Sequence, residues 1–357
     1  MVTKLHSLRI LGFMKLFIPI SYFAFFALST FCVMGQSQTL SPTATRQAFL
    51  KMIDRPRVPL KPELKQLSNL DGAEQWHFSF AADAAQRVPG LIVKSPSTNR
   101  RPVVIVLHGT GGNKEGQIPL LKDLAKLGFI AVAIDGRYHG ERTKSGTGSA
   151  EYGDAMLRTF RTGKELPFLY DTCWDVMRLL DYLETRSDVD TKKIALIGFS
   201  KGGMETYLVA AVDPRVAAAI PFIGVQSFRW ALENNSWQSR VGTFQAAIEA
   251  AAKDEGVTEI NSKFVQKFYD RVMPGIYNKF DGDQMTPLIA PRPLFVINGD
   301  SDARTPMPGL MICIDAINQA YGKHKDKFTF KAQPKTGHAV TDESRKEAIA
   351  WLQKWLM

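Results

Sequence analysis

Short apolar runs recur along this chain at intervals too wide for hairpins, with amphipathic segments between them. Val103 to Leu107, Ile130 to Ile134, Lys192 to Ile197, Ala217 to Ile223, Pro293 to Asn298 and Phe328 to Ala332 are the runs. Their length and β-branched content predict strands buried on both faces. Gln75 to Ala81 alternates and predicts a strand of another kind, with Val88 to Lys94 as its neighbour. Between the runs, Ile118 to Leu127, Phe168 to Glu184, Met204 to Ala211, Met307 to Tyr321 and Asp342 to Leu356 have helical spacing. Val176, Leu179, Leu180 and Leu183 mark one such stripe. Strands alternating with helices imply an α/β fold, with a mostly parallel, doubly wound sheet covered on both faces.

The rhythm breaks between Val225 and Ile289. That stretch has helical composition at Thr243 to Lys253 and Asn261 to Val272, holds tryptophans and shows few strand signals. It predicts a helical insertion, 225–289, that covers the sheet and sets specificity; a structural pad is the rival reading. Long insertions in compact domains are usually lids or binding loops. Upstream, residues 36–74 form a polar lead with a short helix at Arg46 to Ile53 and a proline-marked segment, Arg55 to Pro59. The domain proper is expected over 75–357.

Residues 1–35 read differently. Lys4, Arg9 and Lys15 precede an almost wholly apolar run, Leu16 to Met34, with small Gly35 before Gln36. This has the layout of a secretory signal peptide. Nineteen apolar residues could instead serve as an uncleaved anchor. Either way the chain is expected to be exported, periplasmic or secreted, meeting a membrane only in transit or through that anchor.

The 357 residues are 45% hydrophobic and 22% charged, a globular composition with length for one large core. The formal net charge is +10, yet no block of five or six like charges and no basic–aromatic interleaving occurs. The charge reads as a solvated surface and speaks against a nucleic-acid partner. Beyond Cys32, Cys173 and Cys313 sit in apolar helical segments and read as core; an exported location permits a disulfide but the spacing does not indicate one. There is no H-E-x-x-H, no C-x-x-C and no phosphate-binding glycine motif, so neither a metal nor another cofactor is expected.

The chemistry concentrates at Gly198-Phe199-Ser200-Lys201-Gly202, between a buried strand and a helix. Strand, G-x-S-x-G, helix is the context of a nucleophile elbow, whose sharp turn lifts the serine above the sheet. A serine nucleophile needs a base and a group that orients the base. Only His324 and His338 lie downstream; His324 sits in a charged loop, whereas His338 follows a strand at its C-terminal end. His338 is therefore the candidate base. Asp302 is the candidate acid, in the loop after Pro293 to Asn298, with Asp300 as the alternative. For the oxyanion, the amides of Lys201 and Thr110 are the candidates, with Gly111 the alternative to Thr110, because His108-Gly109-Thr110-Gly111-Gly112 follows a strand. Tyr138, in Asp135 to Arg142, and Trp230 and Trp237, in the insertion, are candidates for substrate contact.

Taken in order, H-G-T-G-G, D-G-R-Y-H-G, G-F-S-K-G-G, G-D-S-D-A-R-T-P and G-H resemble the α/β-hydrolase superfamily over Trp76 to Met357. The branch they are most similar to holds dienelactone hydrolases, prolyl-oligopeptidase-type enzymes and acetyl xylan esterases. The resemblance implies an α/β-hydrolase fold and a serine carboxylic-ester hydrolase with a Ser-His-Asp triad, acting on small-molecule or carbohydrate esters. Dienelactone hydrolases proper use cysteine, so Ser200 favours ordinary ester hydrolysis; no β-propeller precedes the domain, which disfavours a prolyl oligopeptidase. Peptidase activity on the same triad is the alternative enzyme, and a non-catalytic binding protein on this scaffold the alternative of another class. Lys201 departs from the pattern, which often has an apolar residue there. Its side chain is expected either to meet an anionic substrate group or to point away as a surface residue.

Overall fold

The computed structural model describes residues 40–144, 148–166 and 168–357. The segment read as a signal peptide lies outside them. Nine strands form one sheet: β1 (Glu63–Gln66), β2 (Glu74–Ala81), β3 (Arg87–Lys94), β4 (Arg101–Leu107), β5 (Ile130–Ile134), β6 (Val189–Phe199), β7 (Val216–Phe222), β8 (Leu294–Gly299) and β9 (Phe328–Gln333). Their order across the sheet is β1-β2-β3-β5-β4-β6-β7-β8-β9. From β5 to β9 neighbouring strands are parallel, while β1, β2 and β3 join antiparallel, β3 pairing with β5. The fold is thus a mostly parallel α/β sheet. β4 and β5 are buried along their whole length, as strands sandwiched between two helical layers must be.

Twelve helices accompany the sheet among the described residues. α1 (Pro42–Ile53), α2 (Ile118–Lys126), α3 (Gly148–Thr162), α4 (Tyr170–Glu184) and α5 (Lys201–Val212) precede the insertion. α6 (Phe228–Glu233), α7 (Gln238–Val241), α8 (Gln245–Asp254), α9 (Ser262–Val272) and α10 (Gly282–Met285) lie between β7 and β8. α11 (Met307–Tyr321) and α12 (Asp342–Leu356) follow. Two apolar cores result, one on each sheet face. The larger joins α4, α5, α11 and the insertion helices; the smaller packs α2 and α12 against Val104, Val106, Ala195 and Ile197.

Two elements lack a sequence signal. β1 is exposed at all four positions, so no apolar alternation announces it; its backbone pairing with β2 holds it. α3 carries Tyr152, Met156 and Phe160 into the core, but its glycines and charges mask the stripe in sequence.

Candidate active site

β6 runs into α5 through a single residue, Ser200, held at φ 54°, ψ −109°. A non-glycine residue at positive φ is strained, and such strain persists only where the surroundings enforce it. Here they do. A Cβ on Gly198 would lie 2.0 Å from the Gly202 carbonyl oxygen, and one on Gly202 would lie 2.3 Å from that of Leu107, at the end of β4. Glycine at both positions lets α5 start against the sheet. The Ser200 amide also donates to Phe222 O at 2.9 Å, tying the turn to β7.

Facing this turn, the loops after β8 and β9 bring in two more groups. Ser200 Oγ lies 2.8 Å from His338 Nε2, and His338 Nδ1 lies 2.7 Å from Asp302 Oδ2. An ionised Asp302 makes Nδ1 the donor, leaving Nε2 to accept from the serine hydroxyl. Asp302 is fully engaged: Oδ2 also accepts from Thr305 Oγ1 at 2.6 Å, and Oδ1 from the Arg304 amide at 2.8 Å. Burial pushes its carboxyl up, but the bonds from His338 and Thr305 outweigh that and hold it below the usual range. Asp300 is exposed and bonds instead to Ser301 Oγ and the Thr336 amide. His324 lies in the charged turn before β9.

Lys201 is the first residue of α5, so its amide is one of the four that find no acceptor within the helix. Its side chain takes neither expected course. It turns inward, 1% exposed, and its Nζ meets Glu205 Oε1 at 2.6 Å, one helical turn on. Burial raises the Glu205 carboxyl, against the pull of Lys201 and a hydrogen bond from Thr172. Above this pair lie two histidines kept from protonation: burial and the Lys201 charge hold His108 well below its normal range and His139 at about 3. His108 Nε2 accepts from the Gly136 amide at 2.9 Å, which identifies His108 as structural and neutral.

The space before Ser200 is small, about 20 Å³, room for a water-sized group. Thr110, Ser200, Met204, Arg304 and His338 line it from the sheet domain, with Phe168. Phe228, Ser239, Arg240 and Thr243 close it from the insertion. The three residues expected to touch substrate do not line it. Tyr138 lines a separate groove of about 940 Å³, with its hydroxyl donating to Glu165 at 2.8 Å. Trp230 packs on Gly309 of α11, and Trp237 is a core residue whose Nε1 donates to Asn235. The loop after β5 singles out Tyr138 and the aromatic faces of the insertion single out the tryptophans; in the structure half-buried Trp230 lies against α11 and Trp237 is packed into the core. Arg240, Thr243 and Phe228 carry no motif, and no sequence signal singles them out.

The Dienelactone hydrolase family matches residues 88–270. The Bacillus subtilis protein YtaP is 26% identical over 288 residues, covering 76% of this chain and 84% of its own. The 4-O-methyl-glucuronoyl methylesterase of Hypocrea jecorina is 27% identical over 275 residues, 75% of this chain and 55% of its own. Among solved structures, an acetyl xylan esterase from Paenibacillus sp. R4 superposes with a TM-score of 0.63 at 17% identity, over 87% of this chain and 92% of that one. With the elbow, the sheet order and these similarities in hand, the chain belongs to the dienelactone hydrolase family, with the fold of the α/β-hydrolase esterases, and is a carboxylic-ester hydrolase.

Proposed function

We propose that the protein cleaves esters of carbohydrates or similar alcohols through an acyl-enzyme on Ser200. The observation that carries this reading is the unbroken chain Asp302–His338–Ser200, with bonds of 2.7 and 2.8 Å, built on a strained serine. His338 Nε2 takes the Ser200 proton as Oγ adds to the ester carbonyl. The same proton goes to the departing alcohol oxygen, and water then repeats the sequence to release the acid. Asp302 holds the ring by Nδ1 and stabilises the imidazolium that forms. The amides of Lys201 and Thr110 receive the oxyanion.

A carbohydrate ester as substrate is supported by the similarity to an enzyme named as an acetyl xylan esterase, where the sugar is the alcohol, and to enzymes named as glucuronoyl methylesterases, where the sugar is the acid. The narrow free volume at Ser200 favours a short acyl group. The basic-then-apolar residues 1–35 support action outside the cytoplasm. A fluorophosphonate probe should label the wild type and not Ser200→Ala; equal labelling of both would end this reading. A p-nitrophenyl ester series should show turnover falling as the acyl chain lengthens beyond two to four carbons.

A further inference from the structure

One carboxylate stitches the two ends of the insertion together beside the Ser200 cleft. Asp281 is fully buried and caps α10, near the end of the insertion. Its four hydrogen bonds tie that end to the start. Oδ1 accepts from the Phe228 amide at 2.7 Å and the Gly282 amide at 2.8 Å. Oδ2 accepts from Ser227 Oγ at 2.8 Å and the Arg229 amide at 3.0 Å. Phe228 and Arg229 begin α6, so their amides have no acceptor within that helix and Asp281 supplies one. The backbones close in at the same place. A Cβ on Gly282 would lie 2.1 Å from the Gln226 carbonyl oxygen, an approach that glycine alone permits. Burial and Asp283 push the Asp281 carboxyl up to about 7, against the pull of these bonds.

The residue held by this clamp faces the nucleophile. Among the described residues, the apolar walls of the Ser200 cleft are Phe168, Met204 and Phe228, and of these only Phe228 belongs to the insertion. Its ring packs edge-on against Tyr269 of α9, with centroids 5.8 Å apart. An acyl chain is apolar and finds its place along such walls. A fully satisfied buried polar group fixes one arrangement of its neighbours, and here the arrangement includes the wall beside the reacting carbonyl.

We infer that Asp281 is a positioning residue for acyl selectivity. By holding the start of α6 it keeps Phe228 at the cleft, and the Phe228 ring limits the length of acyl chain that reaches Ser200. The inference rests on the ester-hydrolase reading and names what makes its acyl space narrow.

The test reads the ratio of kcat/KM for p-nitrophenyl acetate to that for p-nitrophenyl hexanoate, at about pH 8, where the Asp281 carboxyl is charged. The wild type should favour acetate. Asp281→Asn, which offers one oxygen to four donors, should lower the ratio by about tenfold. Phe228→Ala should lower it similarly, and adding Asp281→Asn to Phe228→Ala should change it by less than about twofold, because both act on one wall. Trp237→Ala, in the core of the insertion, should lose stability yet leave the ratio within about twofold. Where Asp281→Asn does not fold, Ser227→Ala removes one donor and should lower the ratio by about threefold. Independently of turnover, the amides from Ser227 to Glu233 should exchange hydrogen faster in Asp281→Asn than in the wild type. A uniform loss on both esters in Asp281→Asn overturns the inference and makes Asp281 structural. Full additivity in the double variant, unchanged exchange, or a wild-type ratio near one also overturns it. A wild type that cleaves no ester defeats the hydrolase reading and the inference with it, whereas those other outcomes defeat the inference alone.

Discussion

Glu205→Gln removes one charge from an ion pair lying directly under the nucleophile turn. Lys201 and Glu205 are each 1% exposed and meet at 2.6 Å, so neither can turn to solvent. The Lys201 ammonium also faces the Tyr152 ring at 5.9 Å and lies against Gly136 and the His108 loop. Breaking a buried pair from one side strands the other charge and typically costs about 3–5 kcal/mol. In a domain of this size about 2–4 °C is lost per kcal/mol, so the melting temperature should fall by about 6–20 °C. Lys201→Met/Glu205→Met removes both charges at similar volume and should return to within about 1 kcal/mol of the wild type. Urea unfolding followed by tryptophan fluorescence reads both values, and Lys201→Met and Glu205→Met made singly complete a double-mutant cycle. Activity of the double variant should stay within about tenfold of the wild type, because the proposed oxyanion donor is the Lys201 amide and not its side chain. A loss below about 1 kcal/mol for Glu205→Gln would refute the argument, as would a double variant destabilised by the sum of the singles.

Asp302→Asn should lower kcat by about 10⁴-fold, whereas Asp300→Asn, which removes only contacts to Ser301 and Thr336, should stay within about threefold. Initial rates on one p-nitrophenyl ester compare them, and equal losses would argue against Asp302 as the orienting acid. His139 is held at about 3 in the folded chain against about 6.5 unfolded. Unfolded chains therefore bind the extra proton below about pH 6.5, and the stability contributed by neutral His139 drains as pH falls from there toward 3. His139→Asn should lose about 2 kcal/mol less than the wild type between pH 7 and pH 5; parallel pH profiles in urea unfolding would contradict this. Trp237→Ala, at a core position, should cost about 3–5 kcal/mol and leave the relative kcat/KM of short and long esters unchanged. A selective change across chain lengths would return Trp237 to the substrate site.

Local pattern determined much of this molecule. Val103 to Leu107 and Ile130 to Ile134 read as buried strands because each run is short for a helix, rich in β-branched residues and bounded by polar turns, and both are. Met307 to Tyr321 and Asp342 to Leu356 are helices over the residues their spacing marks. The motif glycines around Ser200 place that residue between strand and helix because only glycine permits such close backbone approach. Chain order alone left Asp300 and Asp302 both open; the turn after β8 aims Asp302 at His338 and leaves Asp300 in solvent. Side-chain direction was settled only in three dimensions. Lys201 looks like a surface or substrate cation until α5 turns it onto Glu205, a partner four residues away that helical geometry brings within reach. Tryptophans drew attention in the insertion, but the packing of α6 and α7 sends Trp230 and Trp237 into other contacts and Arg240 to the cleft. Periodicity reports which residues must leave water. Which of the remaining polar groups face one another depends on contacts between segments far apart in the chain, and those exist only once the sheet and its cover have assembled.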